Sequence, residues 1–260
     1  MFSTVTVEQE DGVATVTMNR PERKNAFNDL MLVECHAALD QASRDPATRV
    51  IVLTGAGDAF CTGGDVAGMG EAISPVDRKA LLWDKMQAIP RLVERIEQPV
   101  IAMVNGDAIG GGMDVALMCD MRIASQKARF SEAYVRIGLV PGDGGSYFLP
   151  RLVGMAKALE LLLTGDFIDG IEAARLGVVN RAVPPERLRE ETYALARKIA
   201  SRPPLAVRLT KRLTYQSARA DLSGALDAAS SHVVLVQQSE DHVEAVKAFL
   251  EKRPGRYSGR

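Results

Sequence analysis

The chain has 260 residues (28.1 kDa), 47% hydrophobic and 25% charged. That is the profile of a folded globular protein with room for one or two domains of about 150 residues. Lys plus Arg number 32 and Asp plus Glu 33, a net charge of −1, which excludes a broad nucleic-acid or anionic-membrane surface, since either needs a basic excess. The total conceals a split: residues 201–260 hold ten basic and six acidic side chains, leaving 22 and 27 for residues 1–200. Three Cys (Cys35, Cys61, Cys119) without a CxxC, and three His (His36, His232, His242) without HxxxH or HExxH spacing, indicate neither a disulfide framework nor a metal centre.

Residues 1–10 lack the basic-then-apolar layout of a secretory leader, and no apolar run is long enough to span a membrane. The expected location is the cytoplasm. Val5 and Val7, then Val13 to Met18, flank Asp11-Gly12 and predict a β-hairpin. Leu32, Cys35, Ala38 and Leu39 recur at helical spacing over 28–42, with Asn28 as the cap. Val50–Leu53 and Val100–Val104 are short apolar runs that predict buried strands, each leading into a glycine-rich turn. Strand, glycine turn and helix thus occur twice, near 50–68 and near 100–119, which implies an α/β sheet with crossovers. Beyond Pro150 the pattern turns helical, over 155–163, 185–200, 205–217, 222–238 and 240–252.

The first turn runs from Gly55 to Asp65. Its Gly-x-Gly is not a dinucleotide fingerprint, because the third glycine would fall at Phe60. The second turn contains Gly110-Gly111-Gly112. Three glycines opening a helix cost chain entropy and are expected where a ligand must approach free backbone N–H donors. One N–H from each turn would make a backbone oxyanion hole. Close helix–strand packing explains the glycines equally well.

Here the chain resembles the crotonase superfamily, the enoyl-CoA hydratases and isomerases. The resemblance runs through Asn19-Arg20-Pro21, Asn25-Ala26-Phe27-Asn28, Ala59 to Asp65, Val104-Asn105-Gly106 and Gly110-Gly111-Gly112. It continues in Gly138-Leu139-Val140-Pro141, Gly144-Gly145, Leu163-Thr164-Gly165 and Phe249 to Arg253. It implies a ClpP/crotonase-like α/β fold, a spiral of ββα units over 1–200 carrying an acyl-CoA site. A helical C-terminal region over 201–260 would serve a homotrimer or homohexamer, and Val233–Val236 suits an interface there or an intrachain core. The resemblance further implies an enolate-like thioester oxyanion held by the Gly64 and Gly111 N–H groups. Substrate contacts would come from Arg23, Lys24, Thr62, Gly63 and Asp65, with acyl-CoA as substrate and no separate cofactor or metal.

Asp114 falls where hydratases of the family carry their first glutamate, and relatives that isomerise dienoyl-CoA also carry Asp there. The second glutamate position is Tyr134, a departure that speaks against two-glutamate water addition. Glu132 and Asp143 are the nearby acids that could replace it. Asp143 also reads as a helix N-cap, and Tyr134 reads chiefly as pocket wall, with a substrate hydrogen bond as the other role. Lys252 and Arg253 are expected to help neutralise CoA phosphates. The leading expectation is an enzyme that hydrates an unsaturated CoA thioester or shifts its double bond. Its rivals are a thioester hydrolase of the same fold and a non-catalytic acyl-CoA binding or assembly protein.

Overall fold

The computed structural model describes residues 2–65 and 74–260. Strands β1 (Val5–Glu10) and β2 (Val13–Met18) form the expected hairpin. Asp11 and Gly12, at φ 49° and 79°, adopt the left-handed pair that matches strand twist in a two-residue turn. Helix α1 (Asp29–Arg44) starts at Asn28, whose side chain accepts from the Met31 N–H at 2.9 Å.

Three units then repeat one plan. β3 (Val50–Gly55) leads to β4 (Ala59–Cys61), and after α2 (Pro75–Leu81) and α3 (Ala88–Arg95), β5 (Val100–Val104) leads to β6 (Asp107–Ile109) and α4 (Gly111–Met118). β7 (Met121–Ser125) leads to β8 (Arg129–Ser131) and a short helical turn, Ala133–Ile137. The first strand of each unit joins a larger sheet in the order β1-β2-β3-β5-β7, and the second joins a smaller one in the order β4-β6-β8. All of these neighbours pair in parallel except the hairpin. This is the spiral of ββα units. The echo occurs three times rather than twice, and the helix expected near residue 68 lies outside the described residues.

The central strands are apolar over residues 50–53 and 100–104 because both faces are covered. Val50, Val52, Ile101 and Met103 pack against Leu188, Tyr193, Ala196 and Ala200. Ile51, Leu53, Val100, Ala102 and Val104 face α1 and α4 in the main core. Two asparagines brace the β3–β4 turn: Asn25 donates to the Ala56 and Ala59 carbonyls, both at 2.8 Å, and Asn105 to that of Gly55 at 2.9 Å.

Helices α5 (Gly145–Val153) and α6 (Met155–Thr164) precede β9 (Ile168–Asp169), α7 (Gly170–Leu176) and β10 (Arg181–Val183), which complete the smaller and larger sheets. Helices α8 (Leu188–Ala200), α9 (Pro204–Ser217), α10 (Leu222–Gln237) and α11 (Glu240–Leu250) follow. Lys211 of α9 ties back to the core through Asp120 at 2.7 Å and the Gln98 carbonyl at 2.9 Å. α10 buries none of its side chains, and Val233, Val234 and Leu235 are each more than half exposed. These three are not intrachain core.

Candidate active site

The two glycine turns meet. A β-carbon on Gly63, at φ 85°, would stand 2.9 Å from the Ile109 carbonyl oxygen and 3.2 Å from the Gly111 nitrogen. Phe27 pairs with Gly64 in a parallel bridge, donating to the Gly63 carbonyl at 2.7 Å and accepting from Asp65 at 2.8 Å. In that pattern Gly64's own N–H faces away from Phe27. Gly111 opens α4, so its N–H is among those the helix leaves unpaired. A β-carbon on Gly111 would point at Asp143 Oδ2 (2.8 Å) and Met86 Cε (3.3 Å), the surface the turns present to a ligand.

Asp114, in the first turn of α4, is fully buried. Glu132, Tyr134 and Asp143 come to it from the segments after β8 and before α5. The Tyr134 hydroxyl lies 2.6 Å from Asp114 Oδ2 and 3.0 Å from Asp143 Oδ2. Tyr134 is therefore a polar bridge between acids, a role added to the pocket wall and substrate contact expected of it. Asp143 does not cap α5, because Gly144 holds that position without a side-chain bond. The Gln87 amide donates to the Gly142 carbonyl at 2.8 Å and steadies the loop that carries Asp143.

Gly145 makes room for this cluster. A β-carbon there would fall 2.4 Å from Asp114 Oδ1 and 2.6 Å from Glu132 Oε2. Burial, opposed by the Tyr134 hydrogen bond, pushes the Asp114 carboxyl up to about 7. Burial and the neighbouring Asp114 push Glu132 to about 10, and burial raises Asp143 too. Glu132 is thus a neutral acid at pH 7. Its oxygens accept from no donor among the described residues, and neither does Asp114 Oδ1 beside them. A protonated Glu132 satisfies that pair by donating to Asp114.

Around this centre, Thr62 N–H donates to the Lys24 carbonyl at 3.2 Å. Lys24 and Arg129 flank Asp107 at 3.7 and 2.7 Å, and Arg129 holds the Asp107 carboxyl below its usual range. Asp65 pairs with Arg20 at 3.5 Å, and Arg23 is exposed in the turn before Lys24. Lys252 and Arg253 lie just beyond α11, where Arg253 pairs with Glu244 and Glu251, each at 2.6 Å. Burial pushes the Cys61 thiol far up, which keeps it un-ionised. His36, His232 and His242 sit on α1, α10 and α11. Among the described residues no three His, Cys, Asp or Glu are disposed to hold a metal ion. The parts that sequence reasoning missed are Met86, Gln87 and the bridging role of Tyr134; only the paired Gly144-Gly145 signalled a close approach in that loop.

The sequence matches the family described as enoyl-CoA hydratase/isomerase over residues 8–260. It is 38% identical to the crotonyl-CoA hydratase of Syntrophomonas wolfei, over 98% of each chain. It is 35% identical to the 1,2-epoxyphenylacetyl-CoA isomerase of Escherichia coli, over 96% of this chain and 97% of that one. The crystal structure of an enoyl-CoA hydratase from Bacillus anthracis superposes with a TM-score of 0.95 at 34% identity, covering 99% of this chain and 100% of that one.

Proposed function

The chain belongs to the enoyl-CoA hydratase/isomerase family, and from that premise we propose how its site works and which of the two reactions it favours. It is an enzyme of hydratase/isomerase type acting on CoA thioesters. The Gly64 and Gly111 N–H groups receive the thioester oxygen and stabilise the charge it gains in the enolate, each donor contributing roughly 2.7–4 kcal/mol to the transition state. Asp114 and Asp143 move protons, and Glu132 stays neutral behind Asp114.

The reaction favoured is a double-bond shift. The observation that carries this reading is the Tyr134 hydroxyl between Asp114 and Asp143. Water addition needs a water held where acids can both take and give its protons. A fixed phenol fills that place here, whereas removing a proton at one carbon and returning one at another needs only the two acids.

Thr62, Gly63, Asp65, Arg23 and Lys24 border the CoA-binding approach, with Lys252 adding positive charge, and acyl-CoA is the only small molecule the chemistry requires. Residues 1–200 carry the site, and 201–260 serve assembly. The exposed apolar face of α10 supports a homotrimer, alone or paired as a hexamer, working in the cytoplasm. Incubation with a 3-enoyl-CoA should generate the absorbance of the conjugated thioester, and crotonyl-CoA should lose it far more slowly. Faster hydration than isomerisation would reverse the preference, and inertness to CoA thioesters of several lengths would overturn the whole reading.

A further inference from the structure

A phenol carries one proton, yet the Tyr134 oxygen is within hydrogen-bond distance of two carboxyls, at 2.6 and 3.0 Å. Both bonds form together only if one acid is protonated and donates back while the other accepts, most strongly as a carboxylate. The shorter contact marks Asp114 as the acceptor and leaves Asp143 as the donor. Both acids are enclosed, Asp114 fully buried and Asp143 7% exposed, and Tyr134 between them is partly buried. Glu132, the remaining acid, borders Asp114 and has no hydrogen bond to Tyr134.

We infer that Tyr134 is a proton relay that resets the two aspartates between turnovers. The inference rests on the double-bond shift proposed above. In the forward step the Cα–H bond of a 3-enoyl thioester breaks as Asp114 gains the proton. The Asp143 O–H bond then breaks as Cγ gains its proton. The enzyme is left with Asp114 protonated and Asp143 ionised, the reverse of its starting state. Tyr134 corrects this in one exchange, taking the proton of Asp114 on its oxygen while giving its own to Asp143. No proton is gained or lost overall, and none needs to pass through water.

This predicts that a proton taken from one substrate molecule is held first on Tyr134, then on Asp143, and is delivered to the second molecule turned over after it. The test is a crossover experiment in ordinary water, mixing a 3-enoyl-CoA deuterated at Cα with an unlabelled one of different chain length. In the wild type, deuterium is expected at Cγ of the unlabelled product. Tyr134→Phe should cut that transfer by about tenfold or more and send the label to water, with kcat reduced on the same scale and acyl-CoA binding within about twofold of wild type. Asp143→Asn removes the donor to Cγ itself and should stop isomerisation, and crossover with it. Label that stays within its own molecule, label lost to water by the wild type, or crossover unchanged in Tyr134→Phe would each overturn the relay and leave the isomerase reading intact. A wild type that isomerises no 3-enoyl-CoA would overturn both.

Discussion

Gly112 presses on Cys61: a β-carbon at 112 would stand 2.0 Å from the Cys61 carbonyl oxygen. Its neighbour Gly111 differs, because the nearest atoms to a β-carbon there are the ends of the Asp143, Met86 and Tyr134 side chains, at 2.8, 3.3 and 3.6 Å. The two alanine variants should therefore separate fold from function. Gly112→Ala forces backbone apart and is expected to lose about 3 kcal/mol of stability. Gly111→Ala is expected to fold within about 1 kcal/mol of wild type, since alanine suits a helix, yet to turn over at least about 100-fold more slowly. Denaturant unfolding beside initial rates distinguishes them, and an active Gly111→Ala would remove that position from the oxyanion site.

Asp114 must be ionised to accept a proton, and burial has raised it to about 7. Below that pH it is protonated and inert as a base, so kcat/KM should climb as pH rises through about 7 and fall again at higher pH where Asp143, the proton donor, ionises. Asp114→Asn should cut kcat by about 100-fold or more while acyl-CoA binding persists. Tyr134→Phe removes the hydrogen bond that opposes the rise, so the limb should move to higher pH. A limb that stays put in that variant would assign it to another group.

The backbone was largely legible in the sequence. Asp11-Gly12, the Asn28 cap and the two apolar runs from Val50 and Val100 locate their elements because local chemistry decides them. The third ββ unit was harder, because its first strand carries Arg122. That guanidinium is buried, donating to the carbonyls of Val178 at 2.7 Å and Cys119 at 2.6 Å, so a residue that reads as surface sits in the core. The acid cluster was legible as a set of candidates and illegible as a network. Asp114 and Asp143 are 29 positions apart in sequence, and only the placing of the Ala133–Ile137 turn brings the Tyr134 hydroxyl between them. For the same reason Arg253 reads as a free cation, although the fold supplies Glu244 and Glu251 around it.

Glu132 should make stability fall as pH rises. Its folded carboxyl titrates near 10, far above an ordinary glutamate near 4.3. Between those values the folded chain keeps a proton that the unfolded chain has released, so stability is full below about 4.3 and is lost progressively toward 10. One such proton contributes a slope of about 1.4 kcal/mol per pH unit. Glu132→Gln keeps a donor beside Asp114 and removes this titration. It is expected to match wild type near pH 5 and to exceed it clearly at pH 8. Parallel unfolding curves at both pH values for the two proteins would show that Glu132 ionises normally.

Lys252 is the C-terminal cation proposed above to act on CoA. It follows α11 with a φ of 54°, is exposed, and forms no ion pair among the described residues, whereas the adjacent Arg253 is held by two glutamates. Lys24, the other lysine proposed to meet CoA, reaches Asp107 only at 3.7 Å and is more than half exposed. A phosphate competes readily for so loose a partner, since exposed pairs hold by no more than about 1 kcal/mol. Lys24→Glu and Lys252→Glu are each expected to raise KM for acyl-CoA several-fold with kcat unchanged, and the effect should shrink in about 0.5 M salt as screening tightens. Arg253→Glu should move KM less than Lys252→Glu does. If the order were reversed, with Arg253 dominant, the Glu244 and Glu251 pairs would have to open when CoA binds. If neither lysine mattered, the phosphates would be held by other groups.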